Sequence, residues 1–153
     1  MATYKEGYGP GPGYDRKAQW HETRIANNSA QNTPGLDEGA SGAGYVKTTN
    51  AIDYKVNGKL YTLSSSDDKW DLSGSGADFS TVGSDEYCKI LLTLESDGTP
   101  GAFKGKVASS YDEAPLPMPP SGHSAIGYLK VNDIDFGTDS IASGDHIDGY
   151  DVS

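Results

Sequence analysis

The stretch Ile52-Asp53-Tyr54-Lys55-Val56-Asn57-Gly58-Lys59-Leu60-Tyr61-Thr62-Leu63 decides the fold class. Apolar and polar residues alternate on both sides of Asn57-Gly58, the dipeptide that best tolerates the two positive φ angles of a type I′ turn. A two-residue loop pairs Val56 with Lys59, Tyr54 with Tyr61 and Ile52 with Leu63. Ile52, Tyr54, Tyr61 and Leu63 then share one face, and Asp53, Lys55 and Thr62 the other. The result is an antiparallel hairpin buried on one side.

The same reading extends towards the C-terminus. Lys69-Trp70-Asp71-Leu72 predicts a short strand ended by Ser73-Gly74-Ser75-Gly76, with Trp70 as a core plug. The most apolar run, Tyr87-Cys88-Lys89-Ile90-Leu91-Leu92-Thr93-Leu94, meets Asp97-Gly98, and a two-residue loop there sets Leu92 opposite Phe103. Ile90, Leu92 and Leu94 form the core face, and Pro100 with Gly101 and Gly105 marks the returning strand as a short edge. Ala114-Pro115-Leu116-Pro117-Met118-Pro119-Pro120 lacks the free φ angles and donors for a helix or central strand, so it is expected to run extended along a surface. Ser121-Gly122 turns into a last strand over 123–131, in which Ile126, Tyr128 and Lys130 alternate against Ala125, Leu129 and Val131 and both faces are packed.

Towards the N-terminus the period is lost. Glu6-Gly7-Tyr8-Gly9-Pro10-Gly11-Pro12-Gly13-Tyr14 alternates glycine with proline or tyrosine, a composition whose ordering entropy no local hydrogen bonding offsets. Residues 16–26, with Asp15 as a cap, are the one helix candidate, although Ala18, Trp20 and Ile25 form no helical stripe. Asn27-Asn28-Ser29 and the stretch from Thr33-Pro34-Gly35 to Gly44 are loop chemistry. The expected organisation is an extended attachment arm over 1–44 and a β-rich body over 45–153. The fold class is all-β: a small antiparallel sandwich or barrel of short strands behind an irregular arm.

Composition limits function. The chain has 153 residues, 35% hydrophobic content, 20 glycines and a formal net charge of -10. Such a balance argues against nucleic-acid binding, which needs clustered basic residues. No apolar run approaches the ~18 residues of a membrane span, and no basic-then-apolar leader opens the chain, so neither membrane nor secretion is expected. Both arginines, Arg16 and Arg24, lie in the arm, whereas no lysine or arginine follows residue 130. An arm carrying Lys5, Arg16, Lys17 and Arg24 suits an acidic partner, and the acidic C-terminal part stays solvated.

Chemical signatures are weak. Cys88 stands alone and reads as a buried apolar group. His21, His123 and His146 are isolated, so no zinc set forms. His123-Ser124 lies in no nucleophile-elbow motif, and the glycines of 7–13 lack the flanks of a phosphate loop. Asp133, Asp135 and Asp139 place carboxylates as calcium likes them, but the glycine comes one place early and no twelfth-position glutamate follows; a solvated turn is the simpler reading. No enzyme activity, cofactor or metal is expected.

Several motifs also resemble a family. Gly58-Lys59-Leu60-Tyr61-Thr62, then Asp68-Lys69-Trp70-Asp71-Leu72-Ser73-Gly74, then Tyr87 to Leu94 with Ser96-Asp97-Gly98, are similar to small virion proteins of tailed bacteriophages. So is Leu116-Pro117, Pro120, Gly122 and Ile126-Gly127 leading into the strand. The likeness spans residues 50–143 and leaves the arm out. It implies a capsid decoration, cement or head-fibre role, a β-rich body, homotrimeric assembly and the major capsid protein as partner, on the virion exterior. The arm would supply the anchors Tyr4, Tyr8, Tyr14, Arg16, Trp20 and Arg24. Two rival readings are a carbohydrate- or receptor-binding fibre or tail module, using Trp70, Tyr111 or Tyr128 as stacking faces, and a tail or neck connector.

Overall fold

The computed structural model describes residues 27–73 and 81–149. Among these residues nine strands follow in chain order: β1 (Leu36–Glu38), β2 (Tyr45–Thr48), β3 (Ile52–Val56), β4 (Lys59–Leu63), β5 (Ser66–Asp71), β6 (Thr81–Glu95), β7 (Pro100–Lys104), β8 (His123–Asp135) and β9 (His146–Asp148). One 3₁₀ turn, Ser143–Asp145, precedes β9. They make a four-stranded sheet ordered β9-β8-β6-β7, a three-stranded sheet β1-β2-β5, and the hairpin β3-β4, with every strand pair antiparallel. The all-β antiparallel architecture expected from the sequence is the one observed.

One core joins the three sheets. Ile90, Leu92 and Leu94 of β6 meet Val46 and Trp70 from the three-stranded sheet, Ile52, Tyr54 and Val56 from the hairpin, and Ile126, Leu129 and Val131 of β8. Two polar tips of large side chains end on main-chain carbonyls of β6. The Trp70 indole donates to the Thr93 oxygen at 3.1 Å, and the Tyr54 phenol donates to the Glu95 oxygen at 2.9 Å. Each lets a large ring be buried without orphaning its polar atom. Cys88 is fully buried, its thiol pointing at the Gly105 oxygen at 3.2 Å, and burial pushes its pKa up.

The first hairpin has the expected register throughout, with Asn57 at φ 51° and Gly58 at φ 80°. The second does not. Leu91, rather than Leu92, faces Phe103, and Leu92 faces Ala102. The loop is one residue longer: Glu95 and Thr99 close it, and Gly98, at φ 85°, is its one positive-φ residue. Three-residue loops that end in a left-handed glycine shift the returning strand by one position. Phe103 therefore turns to the sheet's other face, where its ring meets His123 edge-on at 5.3 Å.

A bulge changes the expected alternation of β8. Leu92 pairs with Gly127 and Thr93 with Ala125, so Ile126 is an extra residue. Ile126 thereby joins Leu129 and Val131 in the core, instead of sharing a face with Tyr128 and Lys130. Gly127 is needed at this crowded point: an added Cβ would lie 2.4 Å from Leu36 Cδ1 and 2.5 Å from the Ile147 oxygen.

The expected start of the body at residue 45 is also corrected. Leu36 belongs to the core, β1 pairs with β2, and the Leu36 amide donates to Asp148 Oδ1 at 2.9 Å. Residues 27–44 lie within the fold, because backbone groups of 27–31 find partners on two different strands. The helix candidate over 16–26 lies outside the described residues.

The proline-rich connector does run without regular structure, but it is packed. Ala114 and Pro119 are buried, the Pro115 oxygen and Pro117 ring crowd Gly105, and Tyr111 meets Tyr87 edge-on at 4.9 Å. The outer face of the four-stranded sheet thus has its own cover, and Leu91 is fully buried although it lies outside the main core.

Candidate functional site

The first described residues, 27–31, build one rim of the body. Their backbone stitches the hairpin to the four-stranded sheet. On one side Ala30 N–H donates to the Ala125 oxygen at 2.9 Å, and Ala125 N–H donates to the Asn28 oxygen at 2.9 Å. On the other, Lys55 N–H donates to the Ser29 oxygen at 3.0 Å, and Gly58 N–H to the Asn27 oxygen at 2.9 Å. Side chains reinforce the stitch: Asn28 Oδ1 accepts from Asn57 N–H at 2.8 Å, and Asn32 Oδ1 from Asp53 N–H at 3.0 Å. Asparagine suits this work because one amide caps a backbone donor without adding charge.

The consequence is positional. Asn27 meets Gly58 at the tip of the β3-β4 hairpin, and residues 27–31 run along the edge of β3 that faces away from β4. Strand β4 pairs with β3 on one side, and among the described residues nothing pairs with the other. Leu60 on its outer face is 56% exposed, while Tyr61 and Leu63 on the inner face are partly buried against the core. Tyr61 stacks on Tyr54 at 5.8 Å, and the Lys59 ammonium lies 5.5 Å from the Tyr61 ring. Burial pushes the Tyr54 phenol above its ordinary pKa, with the Asp97 charge adding to the effect.

The anchors Tyr4, Tyr8, Tyr14, Arg16, Trp20 and Arg24 lie outside the described residues. The rival stacking faces separate: Trp70 is in the core, whereas Tyr111 and Tyr128 are half-buried. Tyr111 has one face towards the Lys130 ammonium, 5.4 Å from the ring centroid, and its pKa is raised by burial and then by the nearby Asp145.

His123 and Ser124 point to opposite faces of β8. The His123 ring hydrogen-bonds with Thr93 Oγ1 at 3.0 Å and lies 3.9 Å from the Glu95 carboxylate, while Ser124 Oγ is buried and without a hydrogen bond. Thr93 is itself fully buried in the central strand, a poor place for a nucleophile. Of the aspartates weighed for calcium, Asp135 Oδ1 accepts from Gly137 N–H and Asp139 Oδ2 from Asp135 N–H, each at 2.9 Å, so these carboxylates shape their own turn. Among the described residues no group of three or more histidine, cysteine or acidic side chains is placed to hold a metal.

Sequence reasoning missed the stitch. Its one signal, the paired asparagines Asn27-Asn28, is shared with any loop. No family model, curated protein or solved structure matches the chain.

Proposed function

We propose that this chain is a structural virion protein that binds the outside of a tailed-phage capsid, assembles as a homotrimer and cements neighbouring capsid subunits through its N-terminal segment. The observation that carries the reading is the junction at Asn27. A body with its own core receives, at an exposed hairpin tip, a segment whose composition is that of an attachment arm rather than of a core. The tyrosines, tryptophan and arginines of that segment suit an interface, since such side chains bury much area for few frozen rotamers. The motifs behind the phage resemblance fall on structural positions: Gly58 in a turn, Trp70 in the core, and Leu116 to Gly122 on the path into β8.

The structural boundary sets the test. A chain lacking residues 2–26 keeps the stitch and is expected to fold but to fail in co-sedimenting with capsids that retain the full chain. Undiminished co-sedimentation of the truncated chain would sink the proposal. The sugar-binding alternative loses Trp70 to the core and is not favoured.

A further inference from the structure

We propose that the edge of β4, which is open among the described residues, pairs with the same edge of a second copy, antiparallel about Tyr61; this deepens the reading of the protein as a self-assembling cement and rests on it.

In a two-residue hairpin the closing pair, Val56 and Lys59, exchanges both hydrogen bonds, and bonded pairs then recur at every second residue. Lys59, Tyr61 and Leu63 therefore turn their backbone groups towards β3. Leu60 and Thr62 present their N–H and C=O groups to the open edge. The other sheet edges among the described residues are blunted in the ways that guard against edge-to-edge pairing. β7 begins with Pro100 and Gly101, β1 and β9 are three residues long and carry Asp37, Glu38 and Asp148, and β5 carries Asp67, Asp68, Lys69 and Asp71. β4 is regular over its five residues, holds no proline, and has its one charge at the end.

This edge is complementary to itself. With Tyr61 on a two-fold axis, Leu60 and Thr62 of one copy exchange hydrogen bonds with Thr62 and Leu60 of the other. Tyr61 meets its own mate in a non-bonded pair, extending the Tyr54–Tyr61 stack into a four-ring row across the joint. Lys59 falls opposite Leu63, so no like charges face each other along the seam. Leu60, otherwise an isolated exposed leucine, gains a covered position. In a trimer each copy keeps one such edge, and pairing it ties two trimers together.

Site-directed cross-linking of the full chain in solution, without capsids, reads the pairing directly. Non-bonded antiparallel partners stand at a Cα separation of about 4.5 Å, within disulfide reach. Tyr61→Cys should give a covalent dimer under mild oxidant, whereas Lys55→Cys, one strand inside the edge, should not; the native Cys88 is buried. Should Tyr61→Cys fail to fold, Leu60→Lys keeps the test open by sedimentation velocity, with a loss of self-association of about tenfold to a hundredfold. A folded Tyr61→Cys chain that stays monomeric, or Leu60→Lys associating like the parent, overturns the pairing. Neither result touches attachment through residues 1–26, which is read on capsids.

Discussion

Tyr54 carries a disproportionate share of the hairpin's attachment to the main sheet. Its ring is 1% exposed and its hydroxyl donates to a strand carbonyl of β6. Removing that hydroxyl in Tyr54→Phe should cost about 1 kcal/mol in urea denaturation at neutral pH, the usual worth of a satisfied hydrogen bond. The pH dependence follows from linkage. The folded phenol holds its proton above the unfolded pKa of about 10, because of burial and then Asp97. Its stabilisation is complete below that pH and is lost as pH rises through the folded pKa. The stability gap between parent and Tyr54→Phe should therefore narrow above about pH 10, and a gap that widens there would contradict the assignment.

Asn132 works at the same scale near the other end of β6. Between Val82 and Tyr87, β6 makes an excursion opposite Asp133, which sits at φ 51°. The Asn132 amide donates to the carbonyls of Ser84 and Glu86 at 2.8 and 2.9 Å and reaches that of Gly83 at 3.4 Å. Asn132→Ala should cost about 1–3 kcal/mol. It should also raise amide exchange in 83–86 more than elsewhere, and uniform exchange would show that the excursion holds itself.

At the scale of elements, the two hairpins separate what sequence tells from what it withholds. Asn57-Gly58 fixes both φ signs, and its register was legible. Asp97-Gly98 looks equivalent, yet Asp97 uses its carboxylate to accept from Thr99 N–H at 2.9 Å, a contact that belongs to a longer loop. Those hydrogen bonds hold the carboxyl below the ordinary range for aspartate, the Thr99 backbone amide foremost. Asp97 does not take the positive φ that Asn57 takes, and that one difference moves a strand by a residue without any sign in the strand pattern. The bulge at Ile126 was hidden for the same reason, since Ala125, Ile126 and Gly127 are apolar or small in either register. Gly98→Ala puts a side chain at φ 85° and a Cβ 3.2 Å from Leu63 Cδ1, so it should lower stability by about 1–2 kcal/mol. An unchanged denaturation midpoint would contradict the left-handed conformation at Gly98.

At the scale of the whole molecule, the boundary between arm and body decides what a truncation means. Five backbone hydrogen bonds join residues 27–31 to β3, the hairpin turn and β8, and Leu36 adds core burial. At about 1 kcal/mol per bond their loss is comparable with the total stability of a small domain. Deleting residues 2–26 should leave a cooperative thermal transition by calorimetry, and deleting 2–44 should abolish it. Two similar transitions would return the boundary to residue 45. The stitch escaped the sequence because its partners are main-chain groups, satisfied by asparagine, serine and alanine without any apolar period. The proposed arm anchors rest on composition alone, because the counterpart proposed for them is another chain.

That counterpart is the centre of the account, and a cryo-electron reconstruction of particles bearing the full chain tests it most directly. The account predicts continuous density for residues 1–26 running from the β3-β4 hairpin tip onto the major capsid protein, with Tyr4, Tyr8, Tyr14 and Trp20 buried against it. Density in which residues 1–26 contact only their own body, while the body itself meets the shell, would contradict it.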